Sequence, residues 1–389
     1  MRKILRRIES KRRSKQAVIL PEGVFDYKVF LPKTRLVPPR ALVSYLADPV
    51  KDFLRNTPEI MFSNRGIARS LPQALNELGY IVDIVNFDNT SFLPKTATYD
   101  LLIQHGALNN GNLRSGLKAS GKTIYFSTGS YWRYHNNAEK NRFREFKQRT
   151  GVSLPPDRLI EISEEKVNNE ANGIIALGNQ DIRLTYEDFP MVLNLDLACY
   201  PDKRTKKVRK DHSIGRSNFL FFAGGGCIHK GLDLAIEAFS DLSQHLYIIA
   251  FADDDFRRVY KKQLAQPNIH YIGNLPMRSQ KYYDIFDKCS FAILPSCSEG
   301  QPGSIVECLN EGLIPIVTPD VHLDIEGYGY SIDASVQSIK HVIAKTSKLS
   351  LEEITQYSNF AHQKASIDHS PEHFIATFKK HILSVLESK

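Results

Sequence analysis

Short apolar runs of four to seven residues recur along the chain, each followed by a polar stretch rich in Gly, Pro or Ser. They read as strands at 41–46, 81–87, 99–104, 123–127 and 173–177, then at 218–223, 246–251, 269–273, 291–294 and 314–317. Weaker runs lie at 190–200 and 327–332. Between them, apolar residues repeat at helical spacing. Ile67, Leu71, Leu75 and Leu78 place a helix over 61–79, ended by Gly79. Further helices are expected over 232–239, 280–288, 304–311, 335–347 and 351–366, with a charged one in 140–170. An amphipathic helix over 373–386 carries Phe374, Phe378, Ile382 and Val385 on one side. Strand and helix in alternation specify parallel sheets covered by helices, an α/β fold. The polar, basic run 203–216 interrupts the alternation and divides it into two halves. Pro21, Pro32, Pro38 and Pro39 argue against a long helix before residue 41.

The most informative stretch runs from Ser290 to Pro319. An apolar strand leads into the turn Ser296–Gly303, then a helix, Gly312 and a second apolar strand. In parallel sheets, ligands bind outside the carboxyl ends of strands, where this turn falls. Free N–H groups at the following helix start suit an anion. Glu299 and Glu307 stand eight residues apart around this turn. The string Glu299-Gly300-Gln301-Pro302-Gly303-Ser304-Ile305-Val306-Glu307, with Gly312 five residues on, resembles the E-x7-E signature of the retaining "group 1" glycosyltransferases of GT-B fold. The resemblance implies two Rossmann-like domains facing each other across a cleft.

A second Gly-rich turn supports the same family. Gly224-Gly225-Gly226-Cys227-Ile228-His229-Lys230-Gly231 joins a strand to a helix, and such a turn lets backbone approach a phosphate. It has neither a Walker spacing nor a G-x-G-x-x-G. Family members read G-R-L-x-x-x-K-G here, with Arg and Lys clamping the donor diphosphate. Lys230-Gly231 match, and Gly225 stands where the Arg would be. That departure keeps open a catalytically inactive sugar- or partner-binding protein of this fold; His229 or Arg216 is a candidate to compensate. A nucleotide-sugar epimerase is a further alternative. The resemblance gives Glu307 the ribose hydroxyls, and gives the diphosphate to Lys230 and the N–H groups of Gly303 and Ser304. Gly224, Gly225 and Gly226 would line that site. Glu299 would bond donor-sugar hydroxyls, and the turn at Gly273 would read the base, with Ile272 or Tyr271 packed on it. No metal is expected, since no D-x-D string stands in a suitable place; Asp253, Asp254 and Asp255 read as a solvated turn. No cofactor is expected beyond the donor substrate, a nucleoside diphosphate sugar, with a UDP-sugar first and GDP- or dTDP-sugars as alternatives.

The acceptor side carries fewer signals. The loop Ser63-Asn64-Arg65-Gly66 has one glycine where the family has several. His105 ends a strand. The segment 131–142 holds the one tryptophan, Trp132, with Arg133, His135, Asn136 and Asn137, residue types that stack on and hydrogen-bond to sugars. Relatives place a His after the strand 123–127. Ser127 or Thr128 stands there, so the role passes to His135, taken first, or to His105, or is absent. With Glu299 and Lys230, His135 completes the expected catalytic group. The expected acceptor is a glycan or a lipid-linked molecule, as in surface polysaccharide or glycolipid synthesis.

The net charge of +8 is concentrated: residues 1–16 carry eight basic residues and one acid. The rest is near neutral, so no nucleic-acid partner is expected. The basic segment suits an anionic membrane surface, with a solvated tail as the alternative. There is no apolar run near the ~18–20 residues that cross a bilayer, and no apolar core follows the basic start as in a secretory leader. Five cysteines without C-x-x-C spacing point to a reducing compartment. The expectation is a cytoplasmic protein, peripheral on the inner face of the membrane. The expected organisation is a basic extension 1–40, an acceptor-side domain 41–200, a linker 201–216, a donor domain 217–366, and a C-terminal helix 367–389 packed back on the first domain.

Overall fold

The computed structural model describes residues 16–33, 37–57, 62–200 and 210–388. The basic residues 2–15 and most of the linker lie outside them. Among the described residues, fourteen strands form two sheets. In chain order they are β1 Val18–Leu20, β2 Gly23–Tyr27, β3 Arg40–Tyr45, β4 Ile81–Asn86, β5 Tyr99–Gln104, β6 Leu117–Ser127, β7 Gly173–Leu177 and β8 Val192–Leu195. The second set is β9 Asn218–Phe222, β10 His245–Ile249, β11 Ile269–Tyr271, β12 Phe291–Leu294, β13 Ile314–Val317 and β14 Tyr330–Ser331.

The second sheet has the order β11-β10-β9-β12-β13-β14, all parallel. This is the 3-2-1-4-5-6 order of a doubly wound sheet, whose strand order reverses between β9 and β12. Its strands read as nearly unbroken apolar runs because helices bury both faces. The two turns singled out in the sequence follow β9 and β12, so topology puts them side by side at the switch point.

The first sheet has the order β1-β2-β4-β3-β5-β6-β7-β8, parallel from β4 onward with an antiparallel hairpin on one edge. That hairpin corrects the expected extension 1–40: residues 18–27 are part of the sheet. Arg40 fixes its edge by bridging Asp26 and the buried Asp83, each at 2.8 Å. Between the strand 41–46 and the helix expected over 61–79 stands a further helix, Asp48–Arg55, with Pro49 in its first turn, where a missing N–H costs nothing. The C-terminal helix Pro371–Glu387 buries Phe374, Phe378, Ile382 and Val385 in the core of the first sheet.

Three further segments differ from expectation. The segment whose residue types suit a sugar, 131–142, is the start of a helix Trp132–Thr150, which ends at Gly151 in the left-handed region (φ 73°). This helix follows a strand of the first sheet yet packs on the second: Phe143 and Phe146 belong to the second sheet's core. The end of the expected solvated linker is also packed. His212 bonds Ser290 Oγ at 2.8 Å, and Lys210 reaches the Phe286 carbonyl. Asp253 is no free turn residue; it caps the helix Asp254–Val259 by accepting from Phe256 N–H at 2.8 Å.

Candidate active site

The carboxyl ends of β9 and β12 face the first sheet across a cavity of about 510 Å³. From the second sheet it is lined by Phe222, Gly224, Lys230, Asn274, Met277 and Glu299, and by Pro302, Gly303, Ser304 and Glu307 at the following helix. From the first come Phe62, Ser63, Asn64 and Thr128, and from the segment beyond the long helix, Arg158.

Glycine is required where the two turns meet. Gly231 sits at φ 74°, and a Cβ there would come 2.5 Å from the Pro295 carbonyl, so the turn after β9 lies directly on the end of β12. That contact brings Lys230 to Glu299: the ammonium pairs with Glu299 Oε1, which also accepts from Ser296 Oγ at 2.8 Å. Burial pushes the Glu299 carboxyl up, but Lys230 and His229 outweigh it and hold it at about 2.

Glu307 is buried in the cavity wall. Its Oε1 accepts from Arg278 Nη2 at 2.8 Å and faces Cys199 Sγ at 3.6 Å, while Oε2 has no partner among the described residues. Burial raises its carboxyl pKa and Arg278 offsets part of that. Arg278 was not singled out by sequence; a lone Arg between strand and helix carries no motif. The backbone N–H groups of Gly303 and Ser304 likewise have no acceptor among the described residues, as befits the first turn of the helix Gly303–Asn310.

The loop 296–303 is seated on the first sheet. Ser130 Oγ donates to the Glu299 carbonyl at 2.8 Å. Gln301 accepts from Leu197 N–H at 2.6 Å and donates to Asp196 at 2.7 Å. Gly300 lies so close that an added Cβ would stand 2.5 Å from the Thr128 carbonyl and 2.8 Å from that of Leu177. Gly300→Ala is therefore expected to destabilise the protein by about 1–3 kcal/mol, the cost of overpacking. A lowered urea midpoint would register it; an unchanged midpoint would mean the loop is not seated this tightly.

Several expected site residues lie elsewhere. Gly66 is inside the helix Ser63–Glu77, against the ring of Tyr200, which an added Cβ would overlap; it contacts a side chain and not the cavity. Ser63 and Asn64 of the same loop do line it. His105 stands edge-on between Tyr45 and Phe87, its Nδ1 on the Phe126 carbonyl at 2.9 Å. Trp132 packs on Tyr131 and under Arg133, and Arg133 pairs with Glu165 at 2.8 Å. Asn136 exchanges two hydrogen bonds with the backbone of Ile160. His135 is buried, bonding Ser298 Oγ at 3.2 Å and the Arg158 carbonyl at 2.7 Å. None of these lines the cavity: the long helix turns His135 and Asn136 toward the segment 158–160, and Trp132 and Arg133 toward Tyr131 and Glu165. Of the three glycines, Gly224 lines it, while Gly225 and Gly226 stand beside it; Asn274, Leu275 and Met277 replace Ile272 and Gly273 in its wall.

Behind Lys230 lies a buried pair. His229 Nδ1 meets Glu139 Oε2 at 2.5 Å, and its Nε2 donates to the Ser298 carbonyl at 2.6 Å. Burial pulls the imidazole down, but hydrogen bonds to Cys297 and Glu139 and the charge of Glu299 raise it to about 10. Glu139, His229 and Cys297 are also the one group of potential metal ligands among the described residues. With His229 Nδ1 already spent on Glu139, the arrangement is that of an ion pair.

Residues 217–341 match the family described as Glycosyl transferases group 1. A comparison with curated proteins by sequence finds no match. Among solved structures, the chain resembles a TarM variant from S. aureus in complex with fondaparinux, α-GlcNAc-glycerol and UDP, at 12% identity and TM-score 0.53, covering 76% of this chain and 57% of that one. It resembles Anabaena HepE in complex with UDP and glucose, at 11% identity and TM-score 0.55, over 90% and 100% of the two chains. It resembles sucrose-phosphate synthase from Thermosynechococcus elongatus, at 11% identity and TM-score 0.59, over 91% and 100%. The chain thus spans just over half of TarM and all of the other two. Its fold is the two-domain GT-B fold of these proteins, and its residues 217–341 match the group 1 glycosyltransferase family.

Proposed function

We propose that the protein transfers a sugar from a nucleoside diphosphate sugar, first a UDP-sugar, to a hydroxyl of a glycan or lipid-linked acceptor, with retention at the anomeric carbon. One observation carries the reading: Lys230, the unbonded N–H groups of Gly303 and Ser304, and the unpartnered Oε2 of Glu307 all meet in one cavity. Breaking the bond between the anomeric carbon and the diphosphate oxygen leaves the electron pair on that oxygen, which takes up the proton the acceptor hydroxyl gives as its oxygen bonds the anomeric carbon. Lys230 and the helix start would meet that charge in place before the reaction. Glu307 Oε2 would accept from the ribose, and Glu299 from the donor sugar. HepE and TarM, solved with UDP, support testing that nucleotide first. The basic segment 1–16, of which 1–15 lie outside the described residues, carries the proposed contact with an anionic membrane on its cytoplasmic side.

The test is binding and slow hydrolysis of a panel of UDP-, GDP- and dTDP-sugars by the wild type and Glu307→Gln. One donor is expected to bind and turn over, and the variant to bind it about ten- to a hundredfold more weakly, since the hydrogen bond loses its charged acceptor. If no nucleotide sugar binds at millimolar concentration, the reading fails.

A further inference from the structure

We infer that Arg158, held by the helix Trp132–Thr150, supplies a second cation for the donor diphosphate, opposite Lys230. This deepens the proposed function and rests on it. Three observations carry the inference. First, the Arg158 side chain lies in the cavity wall and over the turn after β9: a Cβ added at Gly226 would come 2.9 Å from its Cδ and 3.0 Å from its Cγ. The glycine leaves the room that the guanidinium stem occupies.

Second, the backbone of Arg158 is fixed. Glu139 Oε1 accepts from the N–H groups of Asp157 and Arg158 at 3.1 and 3.0 Å, and His135 Nε2 donates to the Arg158 carbonyl at 2.7 Å. Asn136 holds Ile160 from both sides. The side chains on this face of the helix position the segment that carries the arginine. Glu139 also pairs with the side chain of His229, next to Lys230, so one carboxylate joins the segments that carry both cations.

Third, the guanidinium is uncommitted. It forms no ion pair and no hydrogen bond among the described residues, and it is exposed to the cavity. Its planar fork is suited to two phosphate oxygens at once. The turn after β9 has no arginine of its own, Gly225 standing there.

The experiment measures binding of UDP, GDP and dTDP, and of the matching nucleosides, to wild type, Arg158→Ala, Lys230→Ala and Arg158→Ala/Gly225→Arg. For whichever diphosphate the wild type binds best, Arg158→Ala is expected to raise Kd about ten- to a hundredfold and leave nucleoside binding within twofold. A Cβ at Gly225 meets nothing within 4 Å, so an arginine fits there, and the double variant is expected to recover most of the loss. If Arg158→Ala binds the diphosphate within twofold of wild type while Lys230→Ala does not, this inference is overturned and the donor site stands. If the variant loses diphosphate and nucleoside equally, its role is structural and the inference fails too. If the wild type binds none of the three diphosphates, the donor-site reading itself falls, and this one with it.

Discussion

Replacing Lys230 by alanine is expected to cut donor turnover about 100- to 1000-fold, the usual effect of removing one preorganised group that meets developing negative charge. Lys230 is buried, and in the structure its ammonium is already aimed at the cavity by Glu299. A lysine has three donors, so it can hold Glu299 and a diphosphate oxygen together. The same substitution frees Glu299. Its carboxyl, now held at about 2, loses the strongest of the groups that pull it down, so the carboxyl pKa rises in the variant. A carboxylate with a depressed folded pKa stabilises the fold above its unfolded value near 4.5, and that contribution disappears as pH falls toward about 2. The stability gap between wild type and Lys230→Ala should therefore be widest at neutral pH and narrow on acidification. Single-turnover hydrolysis and pH-dependent urea unfolding check the two parts. Turnover within threefold of wild type would remove Lys230 from the chemistry.

Glu299→Gln is the informative contrast. The amide keeps the shape beside Ser296 but not the charge, and Lys230 stays available to phosphate. Diphosphate binding should then survive while sugar transfer falls.

The second sheet was legible in the sequence because its strands are buried on both faces. They show as apolar runs bounded by Gly, Pro and Ser, and β9, β10, β12 and β13 were read to within two residues. Lys230, Glu299, Gly303, Ser304 and Glu307 were legible too, because motif and topology coincide at the strand ends. What failed to show has a common cause. The hairpin β1–β2 is three and five residues long, and its edge is held by Arg40, Asp26 and Asp83, which alternation does not reveal. The helix Trp132–Thr150 is polar along most of its length, and its partners lie far off in the chain. Phe143 and Phe146 enter the other sheet's core, Arg142 donates to the Pro295 carbonyl, and Arg149 pairs with Asp233 and Glu237. Aromatic, His and Asn residues that suit a sugar also suit such a junction, so composition could not separate the two. Arg158 belongs to an irregular segment and is placed only by Glu139 and His135.

That junction makes a large stability effect predictable. Removing Glu139, as in Glu139→Leu, is expected to destabilise the protein by about 3–5 kcal/mol, because it leaves a buried imidazolium without its counter-charge. Both side chains have no exposed surface, and both ring nitrogens of His229 face acceptors, which fixes the ring in its charged form. The backbone N–H groups of Asp157 and Arg158 lose their acceptor as well. Changing both partners, Glu139→Leu with His229→Leu, should recover part of the loss, since no charge is then stranded. The pH dependence has a definite sign on each side. His229, raised to about 10, contributes stability that is complete below its unfolded value of 6.5 and is lost as pH rises through about 10. Glu139 is pushed up by burial but pulled below its ordinary value by His229, so its contribution is complete above about 4.5 and is lost on acidification. The difference between wild type and Glu139→Leu should thus be greatest at neutral pH and shrink at both ends. Urea midpoints from pH 4 to pH 10 measure it. A penalty under about 1 kcal/mol, flat with pH, would be that of a solvated surface pair, and the buried junction between the two sheets would have to be redrawn.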